Sequence, residues 1–295
     1  MIFFQLVFNS IVAGLILAIV AIGFNLIFHS TKVFHLAHGA IYVCGAYSFI
    51  NFLNIFSSDS PIGWTLALIL SFLFIVTLSA LIEIFIYRPL SRRSSNQAIS
   101  LISSMGVYIF LVNLTALIFG NETIYLNPDL GDSISFINII ILPIQIVQFM
   151  VSGVLILLII WVSNTKRFLQ VREIMSNEWV ASVMGVNTKR IRIFTMTMGG
   201  VLAAIAAILR MYDNGIEPNA GMGITLSAAV AVIIGGRGSI QGTIVASLLI
   251  AFLQTITDWF LSSQWNEGVT FMLLIFVILW RTEGIVSYKM RLEEQ

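Results

Sequence analysis

The chain has 295 residues, of which 58% are apolar and only 10% are charged, and its formal net charge is +1. Soluble domains contain about 45–50% apolar and about 25% charged residues. The 15 basic and 14 acidic side chains cannot form the polar surface that a water-soluble protein of this length needs. The composition therefore excludes a soluble fold and indicates an integral membrane protein, and the net charge offers no basis for nucleic-acid binding.

Six apolar segments are long enough to cross the hydrocarbon layer, which takes about 20 helical residues. They lie at Leu6–Phe28, Val33–Phe56, Trp64–Tyr87, Ala98–Phe119, Ile139–Val162 and Ile193–Met211. Three segments follow: Ile224–Ile234, which is too short to cross, the full-length Ile240–Phe260, and the short Val269–Trp280. This pattern predicts an all-α, polytopic membrane helix bundle of about 8 spans with broken or half-helices.

The basic residues predict the orientation, because loops rich in Lys and Arg face the cytoplasm. Most of the 15 basic residues fall into three clusters, at 88–93, 166–192 and 281–291. The loops around 59, 120–132, 212–223 and 258–267 contain acidic residues and no basic ones, so we expect them to face outward. The basic residues do not determine the side of the membrane on which the N-terminus lies.

The short segment Ile224–Ile234 lies between two outward loops, together with the span Ile240–Phe260. Its eleven residues cannot cross, so we expect a half-helix that ends at the glycine-rich stretch 235–238, after which the chain returns as a full span. Irregular backbone at membrane depth is tolerated only where it is buried in protein or lines a cavity. The break therefore predicts part of a translocation path.

The longest cytoplasmic segment carries an amphipathic helical pattern. Apolar residues recur every four positions, at Val171, Met175, Trp179 and Val183. Asn177 is a suitable N-cap and Gly185 suits the C′ position, which predicts a helix over Glu178–Met184. The pattern alone fits an interfacial helix that only connects two spans, and it also fits a docking helix for a cytoplasmic partner.

Three sequence blocks carry a resemblance to a known family. They are GFNLIFHSTKVFHLAHGAIYVCGAY near the start, SNEWVASVMGVNTKRI in the cytoplasmic segment and IIGGRGSIQGTIVASLLIAF near the end. With these blocks in this order, the chain resembles the permease subunits of bacterial ABC importers for branched-chain amino acids. The resemblance implies one transmembrane permease domain over residues 1–295, with a cytoplasmic coupling loop at 164–192. It also implies alternating-access transport of branched-chain or related amino acids across the bacterial inner membrane.

The resemblance implies roles for individual residues. It implies that the predicted cytoplasmic helix is a coupling helix that contacts an ATPase. The residues that would make this contact are Asn177, Glu178, Ala181, Met184 and Gly185. The candidates for the translocation path lie in the first and last blocks: His38, Gly39, Tyr42, Gly235, Gly236, Arg237, Ser239 and Gly242.

Three departures from the family pattern leave the substrate open. His35 replaces the usual Asn, Arg237 replaces an apolar residue, and Gln241 replaces a Pro. Arg237 either receives a substrate carboxylate or lies at the cytoplasmic mouth of the half-helix, where it snorkels or meets the ATPase. Urea and short amides are the alternative substrates, because permeases for these solutes resemble one another in the same blocks.

The sequence predicts that other subunits supply the energy. It contains no G-x-x-x-x-G-K-[ST] motif, so we expect no cofactor on this chain and expect ATP and Mg²⁺ on partner subunits. The resemblance implies two ABC ATPase subunits, a second permease subunit that is a different chain, and a periplasmic or lipid-anchored solute-binding protein. His35, His38 and Cys44 are too few and too poorly spaced for a metal site, so we expect none.

Two other classes of membrane protein share parts of this pattern. An ion-coupled secondary transporter also uses broken helices, but it needs ionisable groups at the membrane midplane, and these are scarce here. A membrane enzyme needs convergent His, Asp or Glu side chains at one face, and no such cluster is apparent in the sequence. We therefore expect a non-catalytic transport subunit, with the secondary transporter as the less favoured alternative.

Overall fold

The structure is a computed structural model that describes residues 2–56, 60–92, 97–126, 133–136, 139–165, 168–176, 178–236 and 238–280. These residues form twelve α-helices: α1 Ile2–Thr31, α2 His38–Phe56, α3 Pro61–Ile82, α4 Arg88–Arg92, α5 Gln97–Phe119, α6 Pro143–Ser163, α7 Leu169–Ser176, α8 Glu178–Val183, α9 Thr188–Asn214, α10 Gly221–Gly235, α11 Ile240–Phe260 and α12 Asn266–Trp280. A π-helical turn, Glu83–Tyr87, joins α3 to α4. Two short antiparallel strands, β1 Ile134–Phe136 and β2 Ile139–Ile141, form a hairpin before α6.

Nine helical stretches of the described ranges have the length and apolar composition of candidate membrane spans, namely α1, α2, α3 with its continuation, α5, α6, α9, α11, and α10 and α12, which reach 18 residues only together with the 3-10 turns before them. The predicted all-α polytopic bundle is confirmed. In their most apolar stretches, α1 buries 78% of its residues and α2 and α9 each bury 67%, against 28% in α3, α5 and α6 and 6% in α12. α1, α2 and α9 therefore form the centre of the bundle, and α3, α5, α6 and α12 present their apolar side chains outward, where lipid replaces water as the solvent.

The start of α1 lies on the outward side. The side-chain amide of Gln5 donates to the carbonyl of Ile140 at 3.0 Å, and the Ile140 amide donates back to Gln5 Oε1 at 2.9 Å. Ile140 belongs to the β1–β2 hairpin, which lies in a loop without basic residues. Because such loops face outward, α1 runs inward from this side, and the open question of the N-terminus is answered.

The predicted break between the half-helix and the following span is confirmed. α10 has 15 residues, which corresponds to about 22 Å and is shorter than the hydrocarbon layer of roughly 30 Å. It ends where Gly236 and Gly238 take φ values of +97° and +70°, a region that favours glycine. The Ser239 hydroxyl then accepts a hydrogen bond from the Gly242 amide at 3.0 Å and caps the start of α11.

The predicted cytoplasmic helix is present as α8, Glu178–Val183, with Met184 in the turn that follows. The Gly185 amide donates to the Ser182 carbonyl at 3.1 Å, and the Val186 amide donates to the Ala181 carbonyl at 3.0 Å. With Gly185 at φ +85°, these two bonds form a Schellman motif, so the predicted C′ position of Gly185 is confirmed.

Candidate functional site

A cavity of about 490 Å³ lies between α1, α2, α9, α10, α11 and α12. Its mouth includes Thr123 and Tyr125, which follow α5, and Glu217, which follows α9. These residues belong to loops without basic residues, so the cavity opens on the outward side.

The rim of the cavity is held together by backbone hydrogen bonds between two outward loops. The Ile124 amide donates to the Ile216 carbonyl at 2.9 Å, and the Ile216 amide donates to the Ile124 carbonyl at 2.8 Å. The hydroxyl of Tyr47 on α2 donates to the same Ile216 carbonyl at 3.4 Å. The loop after α9 is thus tied to α2 and to the loop after α5.

Four charged side chains line the cavity within the described ranges. Arg210 comes from the last turns of α9 and Glu217 from the loop after it, while Asp258 and Glu267 come from α11 and α12. The Asn266 side-chain amide donates to Asp258 Oδ1 at 2.8 Å. One guanidinium and three carboxylates therefore face a shared space at the entrance.

The inner wall of the cavity combines polar and apolar groups. Gln254 on α11 donates to the Ser227 hydroxyl on α10 at 3.1 Å and to the Thr270 hydroxyl on α12 at 2.9 Å. Leu17 and Tyr42 contribute from α1 and α2, and Tyr42 is only 1% exposed. The polar contacts connect the three C-terminal helices across the wall.

Beyond the cavity, the two ends of α10 pack against glycines with almost no space between the backbones. A Cβ atom added to Gly39 would lie 2.3 Å from the Gly221 carbonyl oxygen, and one added to Gly242 would lie 2.0 Å from that of Gly235. Real side chains do not tolerate such distances, so both contacts require glycine. The Gly235–Gly242 contact lies at the opposite end of α10 from the cavity and closes that part of the bundle.

Polar contacts of α1 reinforce the same region. The Asn25 side-chain amide donates to the Thr243 hydroxyl at 2.7 Å, which joins α1 to the start of α11. His38 lies within hydrogen-bonding distance of the Val20 carbonyl, 3.3 Å from its Nε2, and its ring meets that of Phe24 edge-on at 6.0 Å.

The predicted path residues thus occupy two places in the structure. Tyr42 lies in the cavity wall, whereas His38, Gly39, Gly235, Gly236, Ser239 and Gly242 lie in helix contacts or at the break between α10 and α11. Arg237 lies outside the described residues. Sequence reasoning did not select the four charged residues of the cavity; the one available signal was that Arg210 lies outside the three basic clusters.

The predicted coupling residues that the structure describes lie in α8 or directly after it. Ala181 is buried, whereas Val183 and Met184 are 67% and 66% exposed. Glu178 begins the helix and the exposed Gly185 follows it, while Asn177 lies outside the described residues. Exposed apolar side chains thus project from a segment that lies among the basic, cytoplasmic residues.

A buried ion pair lies at the cytoplasmic end of the bundle. Arg192 Nε donates to Glu83 Oε1 at 2.9 Å, and Arg192 Nη1 donates to the Ser91 hydroxyl at 3.1 Å. Sequence reasoning did not connect these residues, because Glu83 and Arg192 are 109 positions apart. The pair joins the π-helical turn to the first turn of α9, directly after the segment that holds α8.

In the part of the chain that the structure describes, no group of three or more His, Cys, Asp or Glu side chains is arranged to hold a metal ion. The three carboxylates of the cavity are therefore spread over its wall and do not converge on one point.

Residues 6–278 match the family described as "Branched-chain amino acid transport system / permease component". The chain is 31% identical over 298 residues to the high-affinity branched-chain amino acid transport system permease protein LivH of Escherichia coli K12, covering 97% of this chain and 96% of the relative. It is 29% identical to the permease protein BraD of the same kind of system in Pseudomonas aeruginosa, with the same coverage. The probable LivH permease of Methanocaldococcus jannaschii is 24% identical over 95% of this chain and 91% of its own length.

Proposed function

Because the chain belongs to the family of permease components of branched-chain amino acid transport systems, we propose that it is the membrane-spanning subunit of an ABC importer for branched-chain or related amino acids. It is a multi-pass inner-membrane protein. The observation that carries the proposal is the outward cavity, whose wall includes the start of α10 and the end of α11, the two helices that are separated by a break at their other ends. A solute that enters this cavity from outside has the closely packed α10–α11 contact ahead of it.

Transport then requires that the two halves of the path open in turn. With the Gly235–Gly242 contact closed, the cavity receives the solute from the outward side only. Separation of α10 from α11 at this contact would release the solute to the cytoplasm and would close the outward mouth. The sites His38, Gly39, Tyr42, Gly235, Gly236, Arg237, Ser239 and Gly242 are proposed as the residues along this route.

We further propose that α8 couples this movement to ATP hydrolysis by partner subunits. Its exposed Val183 and Met184 offer an apolar surface in the cytoplasm, where an unpartnered apolar side chain is unfavourable. Two ABC ATPase subunits would cover this surface and would carry the ATP and Mg²⁺, and this chain would itself catalyse no reaction and bind no cofactor. Asn177, Glu178, Ala181 and Gly185 are proposed to complete the contact.

The complete importer is proposed to contain a second, different permease subunit and a periplasmic or lipid-anchored solute-binding protein. The outward loops of this chain contain acidic residues and no basic ones. The solute-binding protein would therefore dock on a negatively charged surface. The lipid-facing apolar side chains of α3, α5, α6 and α12 leave ample surface for a neighbouring permease.

The test is uptake into proteoliposomes that contain the permease with its ATPases. We expect L-leucine uptake that requires ATP on the ATPase side, and ATP hydrolysis that increases when a loaded binding protein is added. Vesicles without the ATPase subunits are the control. Uptake that runs on a proton or sodium gradient in the absence of ATP would exclude the proposal and favour a secondary transporter.

A further inference from the structure

Arg210 in the outward cavity forms neither a salt bridge nor a hydrogen bond with the described residues, although its charge acts on the carboxylate of Asp213, three residues later. Its side chain is partly buried. Asp213 does not line the cavity; its carboxylate accepts a hydrogen bond from Gln148 on α6 at 2.9 Å. A guanidinium that is partly withdrawn from water without an acceptor is unfavourable, so Arg210 is suited to an anionic group that arrives from outside.

Tyr42 provides a second unused donor in the same cavity. The side chain is almost completely buried, and its hydroxyl has no hydrogen-bond partner in the part of the chain that the structure describes. Tyr42 and Arg210 line the same cavity, so both donors are available to one ligand. A carboxylate accepts hydrogen bonds at both oxygens, so a guanidinium and a phenol together match one carboxylate.

The carboxylates of the cavity supply the opposite charge. Asp258 already accepts a hydrogen bond from Asn266, whereas Glu267 accepts none from the described residues. One Glu267 carboxylate oxygen lies against Gly223 near the start of α10, inside the cavity wall. Among the described lining residues, the carboxylates outnumber the guanidinium. The cavity therefore favours a ligand that carries both a cationic and an anionic group.

The remaining wall is aliphatic. Ala13 and Leu17 of α1, Ile224 of α10 and Ala251 of α11 line the cavity. The volume of about 490 Å³ lies within the range of roughly 300–1,000 Å³ that small-molecule sites occupy. The cavity thus combines a cation, anions and an apolar surface on a scale suited to a small amphiphilic solute.

We propose that this cavity is a binding site for the zwitterionic group of an α-amino acid: Arg210 and Tyr42 bind the carboxylate, Glu267 binds the ammonium group, and the wall around Leu17 contacts an aliphatic side chain. The inference rests on the proposed transport function and adds to it the chemistry by which the permease itself recognises its solute. It also discriminates against urea and short amides, which carry neither charge.

The test measures binding to the permease–ATPase complex in nanodiscs without the binding protein. Radiolabelled L-leucine is displaced by L-leucine, by leucinamide, which lacks the carboxylate, or by 4-methylpentanoate, which lacks the ammonium group. We expect the wild type to bind L-leucine more tightly than either analogue, by roughly tenfold to a hundredfold, since each analogue loses charged hydrogen bonds.

Variants assign the two halves of the site. Arg210→Gln is expected to remove the preference for L-leucine over leucinamide and to keep the preference for L-leucine over 4-methylpentanoate. Glu267→Gln is expected to keep the preference over leucinamide and to remove the preference over 4-methylpentanoate. Tyr42→Phe should reduce the preference for L-leucine over leucinamide by a smaller factor than Arg210→Gln does. Glu122→Gln is the matched control, because it removes a charge from an exposed outward position that does not line the cavity, and both preferences should remain as in the wild type.

The inference is overturned if the wild type binds no L-leucine, or if Arg210→Gln keeps the full preference over leucinamide. Should Arg210→Gln fail to assemble, Arg210→Lys provides the same comparison, because it keeps the charge but loses the planar donor pair. It should weaken the preference, and an unchanged preference would also overturn the inference. ATP-driven uptake by the wild type in the same preparation shows separately whether the proposed transport function holds.

Discussion

Arg192 Nε donates to Glu83 Oε1 across 2.9 Å, and the two side chains are only 6% and 2% exposed. Glu83 lies at the start of the π-helical turn that follows α3, and Arg192 lies in α9 just after the segment that contains α8. The pair therefore ties a peripheral helix to the helix that leads from the proposed ATPase contact into the centre of the bundle.

Removing one member of this pair is expected to destabilise the protein strongly. Arg192→Met removes the guanidinium that donates to Glu83 Oε1, and breaking a buried ion pair by removing one partner costs about 3–5 kcal/mol. The free energy of unfolding, measured by denaturant titration in detergent micelles, should fall by this order. The double variant Glu83→Met with Arg192→Met should lose less than the sum of the single variants, and an additive result would contradict the direct interaction.

The contact between Gly39 and Gly221 should not tolerate a side chain. Gly39→Ala places a Cβ 2.3 Å from a backbone oxygen, so α2 and α10 must move apart. We expect a lower thermal unfolding temperature and loss of uptake. Gly106→Ala is the matched control, because no atom lies within 4 Å of a Cβ at that position, and it should keep or slightly raise stability. Equal behaviour of the two variants would mean that the contact is not required.

The cap of α11 should respond to the loss of the Ser239 hydroxyl. Ser239→Ala removes the bond to the Gly242 amide, and losing such a cap costs about 0.5–2 kcal/mol. Denaturant titration should detect this decrease, whereas Ser239→Thr keeps the hydroxyl and should stay within a few tenths of the wild type. If Thr is as destabilising as Ala, crowding at this position and not the hydrogen bond would be responsible.

The exposed apolar surface of α8 should determine retention of the ATPase subunits. Met184→Glu puts a charge into the proposed contact, and we expect co-purification of the ATPases and stimulated ATP hydrolysis to fall at least tenfold, since a buried unpaired charge costs several kcal/mol. Met184→Leu preserves size and apolarity and serves as the control. The bundle should remain folded in both variants, because the side chain is largely exposed in this chain. Undiminished ATPase retention in Met184→Glu would exclude this surface as the contact.

Local features of the chain could be predicted from sequence because their causes are local. The break after α10 follows from a short apolar segment and a glycine run between two loops of the same polarity. The end of α8 follows from Gly185, which takes the left-handed conformation that glycine allows at no steric cost. The side of the N-terminus could not be predicted in this way, because it depends on a contact between Gln5 and Ile140.

The cavity required the tertiary structure. Tyr42 was selected from a block near the N-terminus, but Arg210, Asp258 and Glu267 come from three other helices and share no pattern in the sequence. The apolar residues do not indicate which face of a helix is buried in such a bundle. Lipid and protein interior are both apolar, so a lipid-facing side of a helix has the same composition as a buried one.

The sequence by itself thus determined that the chain lies in a membrane, where its spans fall, which loops face the cytoplasm and where a helix breaks. These properties depend on hydropathy, charge and glycine, which act over one or two turns of chain. Only the tertiary structure decided which few polar side chains come together, such as Arg210 and Tyr42 in the wall of one cavity and Glu83 with Arg192 in an ion pair. Such meetings depend on how helices rotate and pack against one another, and close backbone contacts such as that of Gly235 with Gly242 govern that packing.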